Sequence, residues 1–344
     1  TLAQNRTISF DGLINNEVVF GNGTPMENNP SILKRANKKA ITNALVLAMV
    51  DIANEKGEFE RAKKYWNTFH CQNKLISHNG RYYTDYCKNR WCATCCGIRK
   101  AFILNRYYPI IINWEEPHLL TLTIKAIKAE DLHNKINEVI NNFSKIRDRC
   151  NKRHQRGKGM KVIFIKSLEC NFNATKRTYN PHYHIITPNR ETALYLKQEW
   201  IKECNKTSFN AGNNAQHLIK IEDVEKGLVE VIKYGAKILS DPDPTHKRKR
   251  NRGDMVGLKV YARALHNIYN AMNNHRLYGS IGFKLPEVEN ENISFKYVSN
   301  YESWTYQPQQ MDWINNETEK KFTEYEIDSY LEYILKTCMD KETF

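Results

Sequence analysis

Five of the chain's nine cysteines crowd between residues 71 and 96, and nothing else in the sequence restricts the fold as tightly. Fifteen residues separate Cys71 from Cys87, four separate Cys87 from Cys92, and two separate Cys92 from Cys95. Paired thiolates at the ends of a short loop, joined by a second pair from a neighbouring hairpin, make a tetrahedral zinc site. The run CKNRWCATCC supplies the knuckle; His70 or His78 could stand in for Cys71, and Cys96 is a spare. Nine cysteines in 344 residues are too few for a disulfide scaffold. The N-terminal residues carry neither the basic nor the apolar stretch of a secretory signal. The cluster therefore reads as a structural metal site in a reducing cytoplasm rather than as buried free thiols. With four thiolates as ligands no position stays open for catalysis. The expected role is to hold a basic lobe in which Lys88, Arg90, Arg99 and Lys100 can touch phosphates.

Charge points the same way. The net charge is +14, but the residues from Glu287 onward carry 13 acids against 5 bases, which leaves +22 on the first 286. A surplus of that size on one body favours a polyanionic partner, nucleic acid above all. The linker HKRKRNRGD concentrates it further in Lys247, Arg248, Lys249 and Arg250, which would raise affinity without reading sequence. No apolar run approaches the ~20 residues that a membrane helix needs.

Between residues 118 and 222 the hydrophobic pattern alternates strand, helix, strand, strand, helix, strand. That order is the split βαβ, ferredoxin-like pattern, and it predicts an α+β fold with an antiparallel sheet. The runs MKVIFIKSLEC and HYHIIT become a hairpin. On the second strand His182 and His184 project side by side, because alternate residues share a face. Two such imidazoles can share a metal or can be two polar residues on an exposed sheet face. Glu169, late in the first strand, falls across from them. Helices are expected over SILKRANKKAITNALVLAMVDIANEKG and EFERAKKYWNTFHC, ahead of the cysteines.

The run EKGLVEVIKYGAKILS reads as a helix whose buried stripe is Leu228, Ile232, Gly235 and Leu239. Glu230, Tyr234 and Lys237 share the opposite face, within about 60° of one another. An acid, a phenol and an ammonium line up there, or else a solvated face carries a stray tyrosine.

Taken together, these parts resemble the single-strand DNA endonucleases with a histidine–hydrophobic–histidine metal motif (the HUH family), and within them the rolling-circle plasmid replication initiators. LLTLTI resembles the family's first motif, NPHYHII its second, and EVIKYGAK its third, which carries the nucleophilic tyrosine. CKNRWCATCCGIRKA and RLYGSIGFK resemble pieces of a zinc-bearing subfamily with a single catalytic tyrosine. The resemblance covers roughly residues 70 to 286. One departure is Asn180, where the subfamily usually has a histidine. Both core histidine positions are intact.

The resemblance implies that His182 and His184 bind Mg²⁺ or Mn²⁺, with Glu169 as third ligand, and that Zn²⁺ in the cysteine lobe is structural. It implies that Tyr234 attacks a phosphodiester, leaving a 5′-phosphotyrosine and a free 3′-hydroxyl primer. Lys237 would favour the phenolate, and Glu230 would activate the water that ends the cycle. Origin DNA and host helicase and polymerase are the implied partners in a bacterial cytoplasm, and the oligomeric state is left open, a dimer included. The rivals are a transposase or relaxase of the same chemistry, and a zinc-stabilised DNA-binding protein without catalysis.

Four regions follow from this reading: a helical segment over 1–69, a zinc lobe over 70–100, an endonuclease core over 101–286 including the basic linker, and an acidic region over 287–344. The last has no role legible in its composition.

Overall fold

The computed structural model describes residues 18–20, 24–26, 31–173, 176–206, 210–232, 255–285, 296–298, 301–323 and 326. In chain order the elements are β1 (Val18–Phe20), β2 (Thr24–Pro25), α1 (Ser31–Glu55), α2 (Phe59–Phe69), β3 (Lys74–His78), β4 (Arg81–Thr84) and α3 (Ala93–Ile111). There follow β5 (His118–Thr123), α4 (Leu132–Gln155), β6 (Phe164–Asn173), β7 (Thr178–Thr187), α5 (Arg190–Cys204), β8 (His217–Lys220) and α6 (Val224–Ile232). The last are α7 (Met255–Ala271), β9 (Tyr278–Ile281), β10 (Lys296–Val298), β11 (Glu302–Gln307) and β12 (Asp312–Asn315). The fold is α+β with antiparallel sheets. It divides into one unit within residues 1–97, 242–262 and 288–344, and another within 98–241 and 263–287, the division falling inside α3 and α7. No described helix is long and apolar enough to cross a membrane.

In the first unit, α1 is apolar nearly all round from Ala44 to Ala53, and such a helix must be covered on every side. α2 packs against it. β3 and β4 form a hairpin closed by Asn79 and Gly80, whose φ angles of 47° and 67° are those of a two-residue type I′ turn. The strands order β12-β11-β3-β4-β2, so part of the acidic C-terminal region completes a sheet begun more than two hundred residues earlier. Tyr82, Trp304, Tyr306 and Trp313 form its core. β1 pairs with β10 apart from that sheet.

The second unit is built on an antiparallel sheet ordered β8-β5-β7-β6-β9. Alternation gives β5, β6 and β7 two apolar faces. Leu120, Leu122, Phe164, Leu168, Tyr183 and Ile185 meet α4 and α5 through Phe143, Leu196 and Trp200. Leu119, Ile165 and Ile186 on the other face meet Ile103, Tyr107 and Ile111 of α3 and Leu228 and Val231 of α6. Burying a large side chain such as Phe143 contributes about 2–3 kcal/mol, so this double-sided core carries the unit. The Trp200 indole also donates to the Thr123 carbonyl at 3.1 Å. Arg149 and Arg153 of α4 pair with the buried Glu199 and Glu203 of α5 at 2.6–3.0 Å.

After β9 the chain turns at Gly282, whose φ is +91°. A Cβ there would sit 2.7 Å from the Val162 carbonyl and 2.8 Å from Ile163 Cγ1. Gly282→Ala is therefore expected to cost about 1–3 kcal/mol of unfolding free energy, read as a lower urea midpoint with unchanged slope.

Candidate active site and cysteine cluster

β6 and β7 pair in a register that sets Glu169 opposite His182, Ser167 opposite His184 and Ile165 opposite Ile186. Directly opposed residues share a face, so the glutamate and both histidines project together. β5 adds Thr121 opposite His184 and Thr123 opposite His182. The ligand atoms converge. The two Nε2 atoms lie 3.2 Å apart, and Glu169 Oε2 lies 3.8 Å from that of His182 and 3.7 Å from that of His184. Glu169 and His182 are buried, His184 partly so.

The opposite ring nitrogens are occupied. His182 Nδ1 lies 2.9 Å from the Asn180 carbonyl, which can only accept, so that nitrogen carries a proton and Nε2 faces His184 Nε2 and Glu169. His184 Nδ1 lies 3.1 Å from the Thr121 hydroxyl, which can donate or accept and so fits either tautomer. Outer partners of this kind fix ring orientation at metal sites. Asn180 is not a ligand here; its Oδ1 accepts from Thr123 at 2.6 Å, tying the strand on which the histidines stand. Thr121 was legible in LLTLTI as a polar residue alternating onto one face, but nothing in the sequence paired it with His184.

α6 carries Glu230, whose side chain is not among those described. Tyr234, Lys237 and the four linker bases Lys247, Arg248, Lys249 and Arg250 lie outside the described residues. What is described is how the helix leading to Tyr234 is fastened. Leu228 and Val231 are buried against the sheet, and the Ser167 hydroxyl donates to the Val231 carbonyl at 2.5 Å. Ser167 is the cross-strand neighbour of His184, so one residue links the helix to the strands that bear the histidines.

The cysteine cluster lies in the other unit. The sulfurs of Cys71, Cys87, Cys92 and Cys95 all lie within 4.8 Å of one another. Cys71–Cys95, Cys87–Cys95 and Cys71–Cys92 are each 3.7 Å apart, far beyond a disulfide bond. The Cys87 amide donates to Cys71 Sγ at 3.3 Å. His70 turns aside to Asn73 at 3.1 Å, and Cys96 donates to the Arg90 carbonyl at 2.7 Å, so neither joins the four. Hydrogen bonds from Cys71, Cys87 and Cys95 pull the Cys92 thiol down, while those from Cys87 and Cys92 push Cys71 up. The group thus favours one thiolate, and only an added cation lets all four ionise. Lys39 of α1, fully buried, donates at 2.6 Å to the carbonyls of Phe69 and Cys71 and to Asn73 Oδ1. Burial pulls its ammonium down to about 8, against the cysteine sulfurs, which draw it back up. Lys88 is exposed and Arg90 half-buried beside this loop; Arg99 and Lys100 are half-buried on α3.

The chain matches the family described as Replication protein over residues 80–293, more than half its length, and it belongs to that family. A "Protein rep" from Bacillus sp is 28% identical over 133 residues, 37% of this chain and 41% of that protein. One from Staphylococcus aureus is 28% identical over 176 residues, 48% of this chain and 75% of that protein. The match thus spans about two fifths of the Bacillus relative's length. No solved structure matches the chain.

Replacing Ser167 with Ala leaves a buried carbonyl without its donor, at a cost of about 1–3 kcal/mol. The expected signature is faster amide hydrogen exchange in α6, with β7 amides little changed.

Proposed function

We propose that this chain is a plasmid rolling-circle replication initiator, a metal-dependent endonuclease that nicks single-stranded origin DNA. The observation that carries the reading is the convergence of Glu169 with the Nε2 atoms of His182 and His184 on one sheet face. Family membership supports the replication role, and so do relatives that bear the name "Protein rep". They favour an initiator over a transposase or relaxase. The strand order β8-β5-β7-β6, with α4 and α5 on one face, supports the split βαβ topology expected of an HUH endonuclease core.

Glu169, His182 and His184 would hold Mg²⁺ or Mn²⁺. Two imidazoles and a carboxylate leave positions open. When bound, the ion supplies a Lewis acid for an oxygen of the scissile phosphate. Tyr234 is the nucleophile: its phenolate oxygen bonds to phosphorus as the bond to the 3′-oxygen breaks, and that oxygen leaves as the hydroxyl that primes synthesis. A phenol of pKa ≈ 10 is a weak nucleophile near pH 7, and Lys237 favours its ionised form. Glu230 takes a proton from the water that ends the cycle. Lys88, Arg90, Arg99, Lys100, Lys247, Arg248, Lys249 and Arg250 bind DNA phosphates. The partners are origin DNA and the host helicase and polymerase, with a second copy of the chain where a dimer forms. The compartment is the bacterial cytoplasm.

The cysteine site would hold structural Zn²⁺. Four thiolates at ~2.3 Å from a tetrahedral ion stand ~3.8 Å from one another, and three of the sulfur pairs are 3.7 Å apart.

Incubation with single strands of its own replicon should give a covalent protein–DNA band with Mn²⁺, none with EDTA, and none with Tyr234→Phe. Tight binding without that band would leave a zinc-stabilised DNA-binding protein as the better reading. Mercurial titration of the thiols should release about one zinc per chain and change the near-ultraviolet signal of Trp304 and Trp313. Release of no zinc would rule out the Cys₄ assignment.

A further inference from the structure

The segment RLYGSIGFK forms the sheet's edge strand, and none of the chemistry above uses it. β9 pairs with β6 so that Gly279 lies opposite Lys166. The guanidinium of Arg276 lies over Gly279, its Nε 3.6 Å from where a Cβ would stand, and Nε donates to the Tyr278 carbonyl at 3.2 Å. Arg276 and Lys166 are therefore neighbours on one face. Lys166 Nζ stands 4.8 Å from the ring centroids of both Phe143 and Tyr183. Arg147 follows Phe143 by one helical turn on α4 and adds a third cation.

Three elements thus bring three cations together with little to balance them. Among the described residues neither Lys166 nor Arg276 makes an ion pair with a carboxylate. Asp148 pairs with Arg147 alone, at 2.7 Å and largely exposed. Arg149 and Arg153 on the same helix are, by contrast, matched to Glu199 and Glu203. Burial first, and then Arg147 and Arg276, pull the Lys166 ammonium down to about 8, the mark of a cation short of solvent and of counter-charge. Aromatic faces hold the lysine stem but do not neutralise its neighbours.

We infer that Lys166, Arg276 and Arg147 form a phosphate-binding site for the backbone of duplex DNA. This rests on the replication reading above. Lys166 and Glu169 stand three residues apart on one strand and so face opposite sides of the sheet. The two groups open on opposite faces of the sheet, so a phosphate held by Lys166 is not the one at Glu169, His182 and His184. Duplex flanking the nick is the polyanion that fits. The three cations give it position without sequence readout.

The test uses the full chain with fluorescent duplex and single-stranded DNA from its own replicon, titrated across salt. Lys166→Met keeps the stem on the two rings, Arg276→Gln keeps a donor toward Tyr278, and Lys202→Gln, exposed on α5, controls for lost charge. The double variant Lys166→Met/Arg276→Gln is expected to bind duplex about tenfold more weakly near 150 mM salt. Its log–log salt slope should be shallower by ~0.9 for each phosphate contact removed. Mn²⁺-dependent adduct formation on single strands should persist, and the control should behave as wild type. Unchanged duplex slopes, an effect confined to single strands, or an equal effect of Lys202→Gln would each overturn the site. A chain that binds no DNA at all would remove the replication reading and this one together, whereas tight binding with unchanged slopes removes this one alone. Thermal unfolding of each variant checks that the fold is intact.

Discussion

The register of the β6–β7 hairpin is the constraint on which the second unit depends. A slip of one residue would turn Glu169, His182 and His184 toward α4 and α5 and bring Leu168, Tyr183 and Ile185 to the face that those three now occupy. The apolar residues that alternate with the site residues forbid it, because α4 and α5 bury them. The geometry of three polar groups is thus held by the packing of residues that never touch them. On its second face β7, the central strand, carries His182 and His184, while α3 and α6 cover the neighbouring Ile165 and Ile186.

The first unit is held differently. Its cysteines sit at the junction of α2, the β3–β4 hairpin and the start of α3. Four thiols this close cannot all ionise unaided. Lys39 binds the loop from beneath through backbone oxygens and covers the Tyr306 ring at 4.8 Å, joining α1, the cysteine loop and β11 around one buried ammonium. A charge so placed is worth most when an opposite charge is near, as four metal-bound thiolates would be.

Much of the sheet core and the grouping of its site residues could be read from sequence, because period-two alternation and local order decide them. HYHIIT gave one face to the histidines, and the strand–helix–strand–strand order put Glu169 opposite. The spacing of the cysteines likewise grouped Cys87, Cys92 and Cys95 and left Cys71, His70 and His78 as candidates for the fourth place. What stayed hidden depended on distant pairing. The Asn79-Gly80 turn signal stands beside the cysteines, but it names no partner for the hairpin it closes. Nothing in ESWTYQ reveals that it pairs with residues 74–77, since the partner of a strand so distant in sequence is fixed by tertiary packing. Thr121 and Ser167 are small hydroxyls whose roles exist only once three strands and a helix are assembled.

The pairing of β11 with β3 also bears on the order in which a nascent chain can fold. Ser77 and Glu302, which meet across that pair, are 225 residues apart. At ~5–20 residues per second on a ribosome, roughly ten to forty-five seconds pass before β3 can receive its partner. Every strand of the second unit's sheet emerges within that interval. The sheet that bears the histidines can therefore close while the sheet of β3 and β4 still has an open edge, an invitation to pair with other chains. An early-bound ion at the cysteines would leave less of that nascent segment loose while it waits.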